Sequence, residues 1–428
     1  MTSRDCALAR RLLRPRGGAF SLWLPILIAS GLLLAAAPLA AAEPVLKDGV
    51  PHVTNPAAPR DGVEELRLEE LWRRGGEDDD EVILGLASSV LTDKDGNLYV
   101  LDAQQTEILV FAPDGRLLRT LGRRGQGPGE FENAQRITFL PGGDAIGVAQ
   151  TFPGKFVGIN LDGTPAGDIK LGGDPAAGGF CALIGAQTGG DNLVAAGIDI
   201  AFNQAEATMN RNHFVRSYRS DGAVGHEYHT KNVRWDFSSS FTMKETDNDY
   251  VWWRMAVDRE GRVFLGIPRE DYEISVYSPD GKLERVFGRA YETWPRSAKI
   301  QARFDSMVNA QLRQLPPGTN VDVAKVEQDI WGIQCQPDGT CWVTTSRGMY
   351  EPPAGVFTVW DVFDRDGVFV KQVQAKVPGK PGTDLMLVTE HGFAIMITGF
   401  WDSVLSVMGA TAEDDDAESM QIVCYKIL

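Results

Sequence analysis

One pattern constrains this chain more than any other: glycines in tight turns recur at Gly96, Gly143, Gly190, Gly261, Gly339 and Gly392. The first three are 47 residues apart, and the later gaps widen to 71, 78 and 53. A second series falls between them: Asp114-Gly115, Asp162-Gly163, Asp221-Gly222, Asp280-Gly281 and Asp366-Gly367. Asp-Gly between short apolar runs is a strong hairpin signal, because such turns need a left-handed backbone that glycine adopts freely. Four strands recurring about every 40 to 50 residues are the mark of propeller blades.

Six turns of the first series against five of the second leave one blade short of a strand. The last blade supplies Leu385–Val388, Phe393–Thr398 and Met420–Ile427, and then the chain ends. An N-terminal run, Val63–Trp72, alternates enough to be a strand and is available to complete it. Closing the ring this way removes an edge that would otherwise template aggregation. The expected fold is all-β: a six-bladed β-propeller over residues 63–428, with the N-terminal strand completing the last blade. A helical insertion is expected between blades 4 and 5, at about residues 290–329. There Ile300, Phe304, Met307, Val308, Leu312 and Leu315 fall at helical spacing, and Pro316-Pro317 ends the run.

The stretch from Asp93 to Phe131 shows one unit in full. Tyr99–Asp102 (YVLD) is followed by Ile108-Leu109-Val110-Phe111, by Pro113-Asp114-Gly115, and by GRRGQGPGEF at Gly122–Phe131. These motifs resemble a blade of the bacterial six-bladed β-propeller family related to NHL repeats. The resemblance implies that Gly127-Pro128-Gly129-Glu130-Phe131 is mainly a structural crossover between blades.

The N-terminus carries an address. Arg4, Arg10, Arg11, Arg14 and Arg16 precede an apolar run from about Ala19 to Leu39, which ends in Ala40-Ala41-Ala42. A basic region, an apolar region and a small-residue end predict a cleaved signal peptide over residues 1–42, hence a periplasmic or secreted protein. Uncleaved, the segment is long enough to hold the chain in a membrane. Residues 43–62, with Pro44, Pro51, Pro56 and Pro59, read as an extended linker. The formal charge is −16, and losing five Arg and one Asp with the signal peptide makes it −20. Such acidity excludes nucleic acid and anionic lipid surfaces as partners. A monomer is expected.

Within a four-stranded blade the first and third turns lie at one end, and the second turn and the crossover lie at the other. Nearly every first and third turn here is minimal. The long segments (Gly122–Phe131, 230–255, 290–329, Ile198–Asn212, Ser346–Gly355, Val404–Ser419) all fall at the crossover end. Loops that vary on a rigid scaffold are where binding residues concentrate. The crossover face is therefore the expected functional face, with Arg123, Arg124 and Arg347 as orienting charges. Trp235, Trp252, Trp253, Trp294 and Tyr350 would supply contact area.

Chemistry beyond binding has little support in the sequence. His213, His226, His229 and His391 are scattered, and no nucleophile elbow, zincin or EF-hand motif is present. No catalytic residue, metal ligand or cofactor is predicted. Ca²⁺ is the one ion that the acidic runs Glu77–Glu81 and Glu413–Asp416 would suit, although a hydrated acidic rim is the plainer reading. Asp102 and Asp361 read as structural acceptors. The expected function is non-catalytic binding of a protein, peptide or glycan partner. The alternative is a metal-dependent hydrolase or lyase of the lactonase or amidating-lyase propeller type, with its site in the central channel. Finally, Cys335 and Cys341 flank Gln-Pro-Asp-Gly-Thr, whose three-residue turn places them opposite one another in a register that suits a disulfide. Cys181 and Cys424 are not expected to pair.

Overall fold

The computed structural model describes residues 44–171, 179–238, 241–313, 319–409 and 419–428, so the expected signal peptide lies outside the described residues. The first surprise comes at once. Residues 45–55, read as linker, form β1 (Val45–Lys47) and β2 (Val50–Asn55), and then β3 (Val63–Leu66) and β4 (Leu68–Gly75) follow. The run expected as one strand is split at Arg67. β2 lies parallel on the outer edge of blade 4, β3 lies parallel on the outer edge of blade 5, and β4 is the fourth strand of blade 6. The segment is a belt around half the ring.

Pro51 did not prevent this: β1 pairs with β2 on its outer side, and the pairing of β2 with β21 begins only at His52, so Pro51 faces a partner on one side alone. Asn55 fixes the belt: its side chain donates to the carbonyls of Gly288 and Gly367, both at 2.8 Å, and accepts from the Phe369 amide at 2.9 Å. One buried amide thereby joins blades 4 and 5.

Blade 1 comprises β5 (Ala87–Thr92), β6 (Leu98–Asp102), β7 (Glu107–Phe111) and β8 (Leu117–Leu121). Blade 2 comprises β9 (Ala134–Phe139), β10 (Ala145–Gln150), β11 (Lys155–Asn160) and β12 (Pro165–Lys170). Blade 3 has long strands: β13 (Gly179–Gly189), β14 (Asn192–Asn203), β15 (Thr208–Tyr218) and β16 (Val224–Asp236). Most of Ile198–Asn212, expected as a loop, is thus a projecting hairpin. After β17 (Thr242–Lys244) and α1 (Glu245–Asn248), blade 4 is β18 (Met255–Val257), β19 (Val263–Leu265), β20 (Glu273–Tyr277) and β21 (Leu283–Arg289).

The inserted helix is α2 (Ala298–Leu312), with the Ser297 side chain accepting from the Ile300 amide as its N-cap. Leu315 and Pro316-Pro317 lie outside the described residues. β22 (Asn320–Asp322) pairs with β17. Blade 5 follows as β23 (Ile330–Cys335), β24 (Cys341–Thr345), α3 (Ser346–Tyr350), β25 (Thr358–Phe363) and β26 (Phe369–Ala375). Blade 6 is β27 (Leu385–Val388), β28 (Phe393–Ile397), α4 (Phe400–Val407) and β29 (Gln421–Ile427), closed by β4.

The core lies between blades. Tyr99, Leu101, Ile108 and Val110 of blade 1 meet Ile137, Val148, Val157 and Ile159 of blade 2. Each such side chain contributes about 1.5–3 kcal/mol of burial, which is why the middle strands read as apolar runs while outermost β12 is mostly exposed. The ring closes where Trp72 of β4 packs on Phe111 and donates to the Pro113 carbonyl at 3.0 Å. Gly115 (φ +83°) lies so close to the Trp72 ring that a Cβ would sit 2.6 Å from it. The Asp-Gly turn is therefore also an inter-blade contact.

Candidate functional site

The inner strands of four blades carry a β-bulge at nearly the same height. The unpaired residues are Ser88 in β5, Gln135 in β9, Ile184 in β13 and Trp331 in β23. Each stands four or five residues from the tight-turn end of its strand, toward the crossover face. A bulge adds a residue to one strand and re-aims its side chain. These bulges therefore shape the crossover mouth of the channel.

Arg136, beside one bulge, donates to the carbonyl of Ser88 at another. Its guanidinium lies 3.9 Å from the centroid of Trp253. Trp253 stacks on Trp331 at 5.2 Å, and Phe400 meets it edge-on at 6.1 Å. Among the described residues no carboxylate pairs with Arg136, and burial alone draws it down to about 10. Ser88 is buried, and its hydroxyl has no hydrogen-bond partner among the described residues.

A denser charge network lies under blades 4 and 5. Glu245 of α1 accepts from Arg296 at 2.6 and 2.7 Å, from Arg269 at 3.2 Å, and from the Ala324 amide at 3.0 Å. Asp249 takes Arg254 at 2.8 Å and Arg269 at 3.1 Å, while Glu327 takes Arg296. At the rim Asp329 stands just before β23 with one carboxylate oxygen unpartnered among the described residues. Burial, reinforced by Asp271 and Glu270, pushes Asp329 up to about 6 against a Thr293 hydrogen bond and the charge of Arg289. Tyr291, raised by burial, is close enough to feel the charges of Asp329 and Arg347.

The residues expected from sequence scatter. Trp253 sits in the mouth cluster. Trp294 and Tyr350 stack at 6.3 Å beside the inserted helix, and burial holds the Tyr350 hydroxyl well above its usual range. Arg347 is exposed on α3. Trp252 belongs to a different stack, with Tyr250 and His213, and its indole donates to the Asn248 carbonyl at 3.3 Å. His213 is buried, and burial draws it down to about 4; its Nδ1 donates to the Lys231 carbonyl at 3.1 Å. Trp235 is core, packed with Met209 and Met243, and Arg211 lies 4.3 Å from its ring centroid.

Arg123 pairs with Glu130, which also caps the Gly127 amide at 2.9 Å. Arg124 reaches the Thr106 hydroxyl at 3.2 Å and the Gln104 carbonyl at 3.3 Å. With Phe131 fully buried, this segment is a crossover staple. Asp102 accepts the amides of Gly85, Leu86, Gln104 and Gln105, a structural role. Asp361 holds Tyr272, Arg289 and Gln372.

Two acidic runs fare differently. Within Glu77–Glu81, Asp79 is not hydrated rim: it accepts from Arg74 at 2.7 Å and from the amides of Gly75, Glu81 and Val82, locking β4 to the start of blade 1. Glu413–Asp416 lies outside the described residues. No group of three or more His, Cys, Asp or Glu suited to a metal occurs among the described residues. Cys335 and Cys341 stand in direct register, as expected, but are unbonded thiols. The tight-turn face is not bare either. Where β3 stands across blades 5 and 6 a cleft of about 730 Å³ opens, walled by Glu64, Arg67, Asp338, Trp342, Lys371 and Glu390.

What sequence reasoning missed is the cluster of Arg136, Ser88, Trp331 and Phe400. Only the bulges place it, and a bulge breaks the alternation by which strands are recognised.

Residues 77–187 match the family model DUF5128, a 6-bladed beta-propeller. No curated protein matches the chain. Among the solved structures similar to it in fold are the following three. A DUF4221 family member from Bacteroides vulgatus ATCC 8482 has TM-score 0.44 and 13% identity over 85% of this chain and 98% of that one. Regucalcin, a calcium-binding protein from Agrobacterium tumefaciens strain C58, has TM-score 0.40 and 9% identity over 85% and 96%. Virginiamycin B lyase from Staphylococcus aureus has TM-score 0.37 and 11% identity over 85% and 100%. Among the described residues, no helix is long and apolar enough to cross a membrane.

Proposed function

We propose that this six-bladed propeller is an exported, non-catalytic binding protein that takes a protein, peptide or glycan partner on its crossover face. The observation that carries the reading is the mouth cluster, in which Arg136, Trp253, Trp331 and Phe400 converge on bulged inner strands. Binding energy concentrates in tryptophan and arginine side chains held in place by packing. Export enters the proposal through the N-terminal sequence, and with it oxidation of the Cys335–Cys341 pair to a disulfide by a disulfide-bearing oxidant.

The test is a peptide and glycan array probed with the mature chain, repeated with Trp253→Ala and Arg347→Ala, and with Lys282→Ala and Arg365→Ala at the tight-turn face. Loss confined to the first pair, with melting temperatures tracked alongside, is the expected result. Loss confined to the second pair would move recognition to the tight-turn face. The second reading, a metal-dependent hydrolase or lyase, draws on Asp329, whose raised pKa suits a general acid. Stoichiometric Ca²⁺ or Zn²⁺ in the purified protein would favour it.

A further inference from the structure

An arginine that is partly withdrawn from water and lacks an anionic neighbour is unusual in any protein, and more so in one this acidic. Of the other deeply placed guanidiniums on the crossover face, Arg254, Arg269 and Arg296 each have one or two carboxylates, and Arg303 has the Gly382 carbonyl and the Thr383 hydroxyl. Arg136 has a carbonyl and a tryptophan face. A carbonyl satisfies one N–H of five and neutralises no charge. The residue that lends that carbonyl, Ser88, holds a second unused group: a buried hydroxyl without a partner among the described residues. Buried polar groups are almost always satisfied in folded proteins. That one orphan hydroxyl beside an arginine with no carboxylate, both set by bulged inner strands at the channel mouth, marks a place built for a hydrogen-bonding anion.

We infer that Arg136 and Ser88 form a carboxylate-binding pocket at the crossover mouth, which takes the C-terminal carboxylate of a partner peptide. This rests on the reading of the crossover face as the binding face. Two observations narrow the ligand class. The formal charge of −16 sets a field that repels polyanions such as nucleic acids or polyuronates, so a single carboxylate is favoured over a run of them. The Trp253 ring is already engaged by Arg136 and by Trp331, which disfavours a sugar that would need to stack on it. Trp331 and Phe400 meet the same tryptophan, an apolar surrounding that suits a terminal residue such as Phe or Leu. Arginine meets a carboxylate through paired N–H groups, a geometry lysine cannot copy.

The experiment titrates the mature chain with N-acetyl-Ala-Ala-Phe bearing a free C-terminus, with the same peptide as its C-terminal amide, and with tri-galacturonate. Calorimetry and tryptophan fluorescence are the readouts. The acid is expected to bind roughly 10- to 100-fold more tightly than the amide, the range a charge-assisted hydrogen bond supplies. Arg136→Met should abolish that preference, and Arg136→Lys should retain only part of it. Ser88→Ala should weaken the acid selectively. Because Arg136→Met removes a ring contact and risks misfolding, the lysine variant with an unchanged melt keeps the test decisive. Equal binding of acid and amide, or no binding of either, overturns the carboxylate pocket and leaves the crossover-face reading to the array experiment. Tighter binding of tri-galacturonate overturns the peptide assignment.

Discussion

The two ends of this ring are held by different kinds of contact. At the tight-turn face many turns are closed from within by a side chain a few residues away. Asp93 accepts from Asp95 at 2.9 Å and Asn97 at 2.8 Å; Asp258 accepts from Glu260 at 3.0 Å and Arg262 at 2.9 Å; Asp364 accepts from Asp366 and Val368, both at 2.9 Å. The glycines that complete them have φ of 78–79° at Gly96, Gly261 and Gly367. At the crossover face the partners are far apart in sequence. Glu245 bonds to Arg296, Arg303 of α2 to the Gly382 carbonyl, and Arg136 to Ser88. Turns closed by local bonds are alike from blade to blade, even where Trp72 and Asn55 reach them from the belt. A face assembled from distant bonds is particular, and that particularity is what recognition requires.

The contrast makes its largest prediction at Glu245. Its carboxylate serves two arginines and an amide, and Arg296 is itself almost wholly buried. Removing one partner of a buried ion pair leaves the other charge uncompensated, typically a loss of 3–5 kcal/mol for full burial. Glu245 is itself 17% exposed, so Glu245→Ala should cost roughly 2–4 kcal/mol by the same reasoning, discounted for solvent. Urea unfolding of that variant reads the loss. An unchanged midpoint would mean that the crossover face is not held by its charge network, and the contrast between the faces would collapse.

These two kinds of bonding also explain what could be read before the structure was known. The turns were legible because their donors and acceptors lie within four residues, and Asp-Gly announces them. Ring closure was legible because a missing strand is a counting argument. The belt was not: β2 is six residues with a proline, and nothing local says that Asn55 bridges Gly288 and Gly367. Tryptophans were over-read, since Trp235 and Trp252 serve packing within and beside blade 3. Arg136 was passed over, because a lone arginine in an alternating strand reads as solvated. Its burial depends on a tryptophan 117 positions away.

Asp329 yields the next effect and a sign that can be worked out. Its folded pKa of about 6 is above the unfolded value of about 3.9. The protonated form is therefore the one the fold prefers. The stabilisation linked to it is fully present below pH 4 and is lost as pH rises through 6. Asp329→Asn mimics the protonated form, so it should stabilise the protein at pH 7 by roughly 1–3 kcal/mol, with the advantage vanishing near pH 4. Paired melts at those two values test it. A variant that is less stable at pH 7 would mean that the carboxylate is held charged, by Arg289 or by an ion.

The smallest effect belongs to the tight-turn face, at Cys335 and Cys341. They form the register pair next to Gln336 and Thr340, where the Gln336 amide donates to the Thr340 carbonyl at 2.9 Å. The cysteine pair is thus the non-hydrogen-bonded kind, whose side chains approach most closely across two antiparallel strands. Burial holds the Cys335 thiol well above its usual range, with Cys341 adding to the shift, so a thiolate forms there with difficulty and the exchange that makes the bridge should be slow. Once formed, the bridge closes a loop of five residues, worth roughly 2 kcal/mol on the chain-entropy model. That is an upper bound, since Pro337-Asp338-Gly339 already restricts the unfolded hairpin. Non-reduced peptide mass mapping of exported protein should find the two joined, and reduction should lower stability by no more than that amount. Two free thiols would reject the bridge. A much larger loss on reduction would show that this hairpin holds more than its own turn together, and that the tight-turn face is less local than its bonds suggest.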